Sequence, residues 1–336
     1  MDKLERVRRC IAGEHLDRPP FSMWMHFHMR DRNPVTLADA CLELRDMYDM
    51  DFLKITPSGL YFVQDFGAAI QFGRQEWEHP RMVNNLLQSQ KDLEDLPVLN
   101  PETGALSREL TAQKILCSKK GNNSAPILMT LFTPLTVICK LIGNGDIPGT
   151  LKYFIETCPQ VLHAALRKIQ RMEDDFLERA FSYGIDGIFF ATQAANFETL
   201  SSADQYKEFG VTYDYPIAEK IHKAGKLCLM HVCMKKVMLE LFRDYPIDII
   251  NWDNIYSGTT ITQARELLPD KVLAGGIDIF KIMKYTPAEV KQMVQHALDE
   301  AGGSRFILSP TCVLLASTPC ENLKAISDYL KSKESA

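Results

Sequence analysis

Short runs of apolar residues, most of them without alternation, punctuate this chain, and between them lie longer stretches with helical features. The runs fall at 20–27, 51–56, 126–131, 185–191, 226–231, 247–252, 271–276 and 305–309. Continuous hydrophobicity marks a strand covered on both faces, as parallel sheets require. The helical stretches include 36–48, 160–183, 203–224, 260–268 and 287–301. Ser202 and Thr286 stand before two of them as N-caps, the second followed by Pro287 at the first helical position. Strand and helix alternating eight times predicts an α/β fold, a single closed (β/α)8 TIM barrel spanning residues 1–336 as one domain.

One region breaks the rhythm. From 57 to about 107 the chain carries aromatic and glycine-rich pieces, Tyr61-Phe-Val-Gln-Asp-Phe-Gly67 and Ile70-Gln-Phe-Gly73, then the proline-punctuated Leu96-Pro-Val-Leu-Asn-Pro101. This reads as a hairpin-bearing insertion after the second strand, either a substrate loop or a passive excursion. The run Gly143-Asn-Gly145-Asp-Ile-Pro-Gly149 lacks a preceding strand and a P-loop lysine, so it reads as a loop with no phosphate role.

Composition narrows the class. Hydrophobic residues at 46% and charged residues at 24% are ordinary for a globular protein with a large core. A net charge of −5 gives no broad attraction to nucleic acid or to anionic lipid. The charged amino terminus lacks the apolar centre of a secretory signal, and no run of about eighteen apolar residues suggests a membrane span. Nine cysteines, an odd number without a disulfide-like pattern, point to reduced thiols and a cytoplasmic location.

The candidate chemistry gathers at the ends of the predicted strands. His231 closes the fifth, Cys233 follows two residues on, and Cys312 lies just past the eighth. One imidazole and two thiolates form a ligand set that zinc favours, and three protein ligands leave a fourth position open for chemistry. The alternative is three packed residues, since free cysteines are often simply buried. In a barrel, catalytic groups sit where strands end, so closure would bring strands 5 and 8 to one mouth. Side-chain alternation lets His231 and Cys233 face the same way and turns Cys228 toward the helices, where it packs. Glu198 could reach the metal as a further ligand. His26 and His28, at the end of the first strand, and Asp253 and Asp278, after the sixth and seventh, could bind substrate or serve as polar rim and loop caps.

In order and spacing, Leu16-Asp-Arg-Pro-Pro20, Leu131-Phe-Thr-Pro-Leu-Thr136, Gly184-Ile-Asp-Gly-Ile188, Lys207-Glu-Phe209, Asn251-Trp-Asp253, Ala274-Gly-Gly-Ile-Asp278 and Thr318-Pro-Cys-Glu-Asn322 resemble the uroporphyrinogen decarboxylase superfamily of (β/α)8 barrels over nearly the whole chain. The resemblance departs from the decarboxylases themselves. Their Arg-Gln-Ala-Gly-Arg segment is replaced by Met25-His-Phe-His-Met-Arg30, and their Ser-Asp-Ile segment by Ile55-Thr-Pro-Ser58. His231-Val-Cys233, Cys312 and Thr318-Pro-Cys-Glu-Asn322 are similar to the zinc-dependent methyltransferase branch, with Thr311 where many members have glycine. That resemblance implies Zn2+ held by His231, Cys233 and Cys312, and a methyl group moved between a corrinoid protein and coenzyme M or a related acceptor. No Asp-x-His-x-x-Gly segment is found, so a partner protein would present the corrinoid. The superfamily also implies two alternatives, demethylation of aryl methyl ethers or methylamines, and decarboxylation of a smaller acid.

Overall fold

A computed structural model describes all residues except 122, 124, 304, 335 and 336. Seven strands form one parallel sheet in the order β1 (Leu53–Ile55), β4 (Ile127–Phe132), β5 (Gly187–Thr192), β6 (Leu227–Val232), β7 (Ile249–Trp252), β8 (Val272–Ile277) and β9 (Phe306–Pro310). Between β1 and β4 in sequence lies a separate two-stranded antiparallel ribbon, β2 (Ile70–Gln71) with β3 (Arg81–Met82). Nearly every residue of the parallel strands is buried, the two-sided cover that their unbroken hydrophobicity predicts. The sequence segments between strands supply the covering helices.

The first predicted strand, 20–27, departs from expectation. It forms single parallel bridges, Phe21 with Leu308 and Met25 with Leu314, rather than a continuous ladder. On one side the Ser22 amide donates to the Leu308 carbonyl at 3.1 Å; on the other the Asp51 amide donates to the Phe21 carbonyl at 2.9 Å. Pro19 and Pro20 have no amide hydrogen, so the segment's start cannot donate to a ladder. An extended segment thus hydrogen-bonds to β9 on one side and to the start of β1's strand run on the other.

Helix limits follow local chemistry. Asn33 accepts from the amides of Val35 and Thr36, starting Pro34–Tyr48 two residues before the apolar pattern does. Thr286 and Glu289 make a reciprocal capping box at Pro287–Ala301, and Thr260 with Gln263 do the same at Ile261–Leu267. The expected 203–224 helix is present but widened into a π turn at Lys207–Val211, ahead of Pro216, whose ring cannot accept the regular i−4 geometry. Asp146 accepts from the Gly149 amide at 3.0 Å and starts the helix Ile147–Thr157, which accounts for the glycine-rich run as helix entry. Among the described residues no helix is long and apolar enough to cross a membrane.

A buried charge cluster fastens the amino terminus beneath the sheet. Asp51 accepts from Arg6 Nη1 and Arg18 Nη1, each at 2.6 Å, and from the Phe21 amide at 2.8 Å. All three charged side chains are almost fully buried. Removing one member of such a set leaves the others charged and desolvated. Asp51→Asn is therefore expected to lower unfolding free energy by about 3–5 kcal/mol in urea titration; a loss below about 1 kcal/mol would show the cluster to be a weakly coupled surface arrangement.

Candidate metal centre

Strand pairing aligns Ala191, His231 and Asn251 across β5, β6 and β7. The Asn251 amide Nδ2 donates to the carbonyls of Ala274 at 2.9 Å and Pro310 at 3.0 Å, with Ser309 Oγ at 3.2 Å. Two carbonyls can only accept, so the NH2 end is fixed and Oδ1 must face His231. That oxygen lies 2.6 Å from His231 Nδ1, which therefore carries the ring hydrogen. The other nitrogen, Nε2, is left with its lone pair free and faces Cys312 Sγ at 3.8 Å. An outer partner that fixes a histidine tautomer is the usual companion of a metal-bound imidazole.

Cys233 extends β6 by one residue, its amide donating to the Thr192 carbonyl at 2.8 Å. Cys312 follows β9, where the Thr311 amide donates to the Ile277 carbonyl at 3.1 Å. The donor atoms of His231, Cys233 and Cys312 all lie within 4.8 Å of one another, and among the described residues they are the group of three that could hold an ion. A tetrahedral zinc with bonds of about 2.0–2.3 Å separates its ligand atoms by roughly 3.5–3.8 Å, so the set fits with small adjustment. The Cys312 thiol is held well below the usual range, first by the hydrogen bond from Cys233 and then by His231, while the Cys233 thiol is pushed up by the same neighbour. Soft donors poised in this way suit a borderline-soft divalent cation.

Not all of the predicted residues join the cluster. Glu198 and Asp253 line the same cavity, about 440 Å³ in volume, but neither belongs to the three-atom group. Asp253 Oδ1 accepts from the amides of Ile255 and Tyr256, at 3.1 and 3.0 Å, which makes it a loop cap. Asp278 lies outside this lining; its Oδ1 caps Phe280 and Lys281, and its Oδ2 accepts from the Tyr256 hydroxyl at 2.9 Å. His26 and His28 stack with centroids 5.1 Å apart, and neither lines the cavity. His28 Nε2 instead meets His79 Nδ1 at 3.1 Å. Burial, with Lys54 and His28 nearby, pushes His26 well below its usual pKa, so it is neutral. Cys228 is fully buried.

Three contributors escaped the sequence reading. Asn251 was quoted only as part of a motif. His79 comes from the excursion, where nothing in the local pattern sets it apart. Lys54 had a visible signal, a cation inside an otherwise apolar run. Its Nζ donates to Thr56 Oγ1 at 3.2 Å and lies 4.5 Å from the Phe189 ring centre, and Phe189 in turn packs on His231. Burial lowers the Lys54 pKa to about 7, against the pull of Cys312 and Cys41.

Fold and site together define an α/β protein with a candidate soft-metal centre at the carboxyl ends of its parallel strands. The chain belongs to the uroporphyrinogen decarboxylase (URO-D) family, which residues 2–332 match. It is similar to a methylcobamide:CoM methyltransferase of Methanosarcina acetivorans, 20% identical with 98% of this chain and 97% of that one covered. It is also similar to the uroporphyrinogen decarboxylase of Geotalea daltonii, 23% identical over 92% of this chain and 93% of that one. The solved structure of a methyltransferase from Methanosarcina mazei shares the fold, with a TM-score of 0.83, 18% identity and 99% of each chain covered.

Proposed function

We propose that this chain is a zinc-dependent methyltransferase that moves a methyl group between a corrinoid, carried by a partner protein, and a small-molecule thiol or methylated substrate. The observation that carries this reading is the convergence of His231 Nε2, Cys233 Sγ and Cys312 Sγ, with the histidine's tautomer fixed from behind by Asn251. The likeness to a methylcobamide:CoM methyltransferase supports it. In the same reading the segment 20–27 is the eighth stave of the barrel, the excursion that follows β1 is the insertion, and the chain works in the cytoplasm.

His231, Cys233 and Cys312 would hold the zinc, which when bound supplies Lewis acidity, lowering the pKa of a thiol or polarising a leaving atom. The chain's own residues do the rest. Asn251 keeps the imidazole in place, and Lys54 packs on the Phe189 ring that the imidazole touches. Thr311, whose buried hydroxyl has no protein partner, offers a hydrogen bond inside the cavity. Met234, Tyr256 and Phe280 line the cavity and are each exposed, an apolar rim suited to a docking protein.

The test is a methyl-transfer screen. Zinc-loaded protein is mixed with methylcobalamin and a panel of thiols, then with cob(I)alamin and a panel of methyl ethers and methylamines. Zinc-dependent formation of a methylated product, or of methylcobalamin, is the expected result. Release of carbon dioxide from small acids by metal-free protein, with no methyl transfer in either panel, would replace this reading with decarboxylation.

A further inference from the structure

A second cavity, of about 410 Å³, adjoins the one above the trio. Glu198 and Met234 belong to the walls of both. Met234 is held at φ 86°, in the left-handed region that a residue with a side chain enters at a cost. The partition between the two spaces is thus a conformation imposed by its surroundings and not a relaxed loop.

The second cavity is apolar on most of its surface, with Leu60, Met82, Cys139, Ile147 and Pro148 in its wall. Two cations stand in the wall: Arg81, exposed on the ribbon and donating from Nε to Gln71 Oε1 at 2.9 Å, and Lys140, near the end of the helix Pro134–Ile142. The apolar side belongs to Lys140. Its Nζ lies 4.3 Å from the Phe132 ring centre. Among the described residues no carboxylate comes within 4.0 Å of that ammonium, whereas Lys119, Lys120 and Lys220 each pair with an acid. Cys139 beside it supplies no charge, because burial pushes its thiol up to about 12. Glu198, the carboxylate in this wall, makes no ion pair with Lys140, and the acidic group that acts on the lysine most is the Cys233 thiol. Burial lowers the Lys140 pKa to about 8. A cation in apolar surroundings without a partner is unfavourable, and an incoming anion relieves that cost.

We propose that this second cavity is a substrate subsite for a carboxylate with a ring-sized apolar body, the carboxylate pairing with Lys140 and the body packing against Met82 and Ile147. The inference rests on the reading of the trio as the reacting centre only for which end of the ligand faces Met234. The subsite itself stands on its own walls and charge. Its volume falls within the usual range for small-molecule pockets, whereas a two-carbon ligand would leave most of it unfilled.

Benzoate and benzamide are matched probes, one anionic and one neutral. Isothermal titration of the full chain, with and without zinc, is expected to show benzoate binding at least roughly 10-fold tighter than benzamide, as a charge-assisted pair requires. Lys140→Met should remove that preference, and Lys140→Arg should keep it. Ile147→Trp, which fills the apolar side and leaves the lysine, should abolish benzoate binding, so the test survives misfolding of one variant. In every variant zinc content is expected to match the wild type. Equal affinity for the two probes, or unchanged benzoate binding in Lys140→Met, would overturn the subsite. So would a fall in zinc affinity in Lys140→Met, since the lysine would then be serving the thiolates. Benzoate binding that persists in a chain unable to hold zinc would uphold the subsite while removing the proposed methyl-transfer chemistry.

Discussion

Cys312→Ser is expected to strip the protein of tightly bound zinc, from roughly one ion per chain to a small fraction, and to abolish methyl transfer in both directions. A serine hydroxyl stays protonated where a thiol does not, so one of three donors is lost and the remaining pair is too few for a stable site. The effect should be selective. Cys312 lies beyond the last strand and is partly exposed, and its removal leaves the packing of β9 against β8 in place. Thermal unfolding of the zinc-free variant should therefore match that of zinc-free wild type. Cys228→Ser is the control: it sits on the same strand as His231 but is sealed in the core, so it should cost stability and leave the ion count per folded chain unchanged. If Cys312→Ser binds zinc as the wild type does, the trio is not a metal site.

Asn251→Leu is the second large effect. The leucine cannot accept from His231 Nδ1, so the ring is free to turn and to carry its hydrogen on either nitrogen. It also orphans the carbonyls of Ala274 and Pro310, which lose the amide that bridges β8 and β9. Loss of an outer partner of this kind weakens metal binding by roughly 10–100-fold. Competition with a chelator of known affinity measures that change. Asn251→Asp separates the two roles, since a carboxylate still accepts from Nδ1 but cannot donate to the carbonyls. Zinc affinity should largely return in this variant while stability does not. If leucine and wild type compete equally for zinc, the tautomer argument fails.

Much of the scaffold was legible because its strands are buried on both faces and their helices begin at strong caps. Seven of the eight apolar runs became parallel strands, displaced by one or two residues. The first did not become a regular strand, because two prolines remove donors where a ladder would start, and hydrophobicity alone does not report missing amides. The short helices Pro134–Ile142 and Ile147–Thr157 were not foreseen, the first being buried on nearly every side and so showing no polar face to set its period. At the site, the trio could be read from residue types at strand ends. Asn251 could not, because its role depends on the register between β6 and β7. Asp253 and Asp278 could be read by position as substrate contacts or as loop caps, and oxygens of both accept from the backbone of the turns they begin. A strand-end acid announces a loop as readily as a substrate contact.

X-ray absorption at the zinc edge of the reconstituted full-length protein tests the central claim most directly. Two sulfurs at about 2.3 Å and one nitrogen at about 2.0–2.1 Å are predicted, with one further light ligand in the open position. A shell of oxygen and nitrogen without sulfur, or a protein that retains no zinc after dialysis, would contradict it.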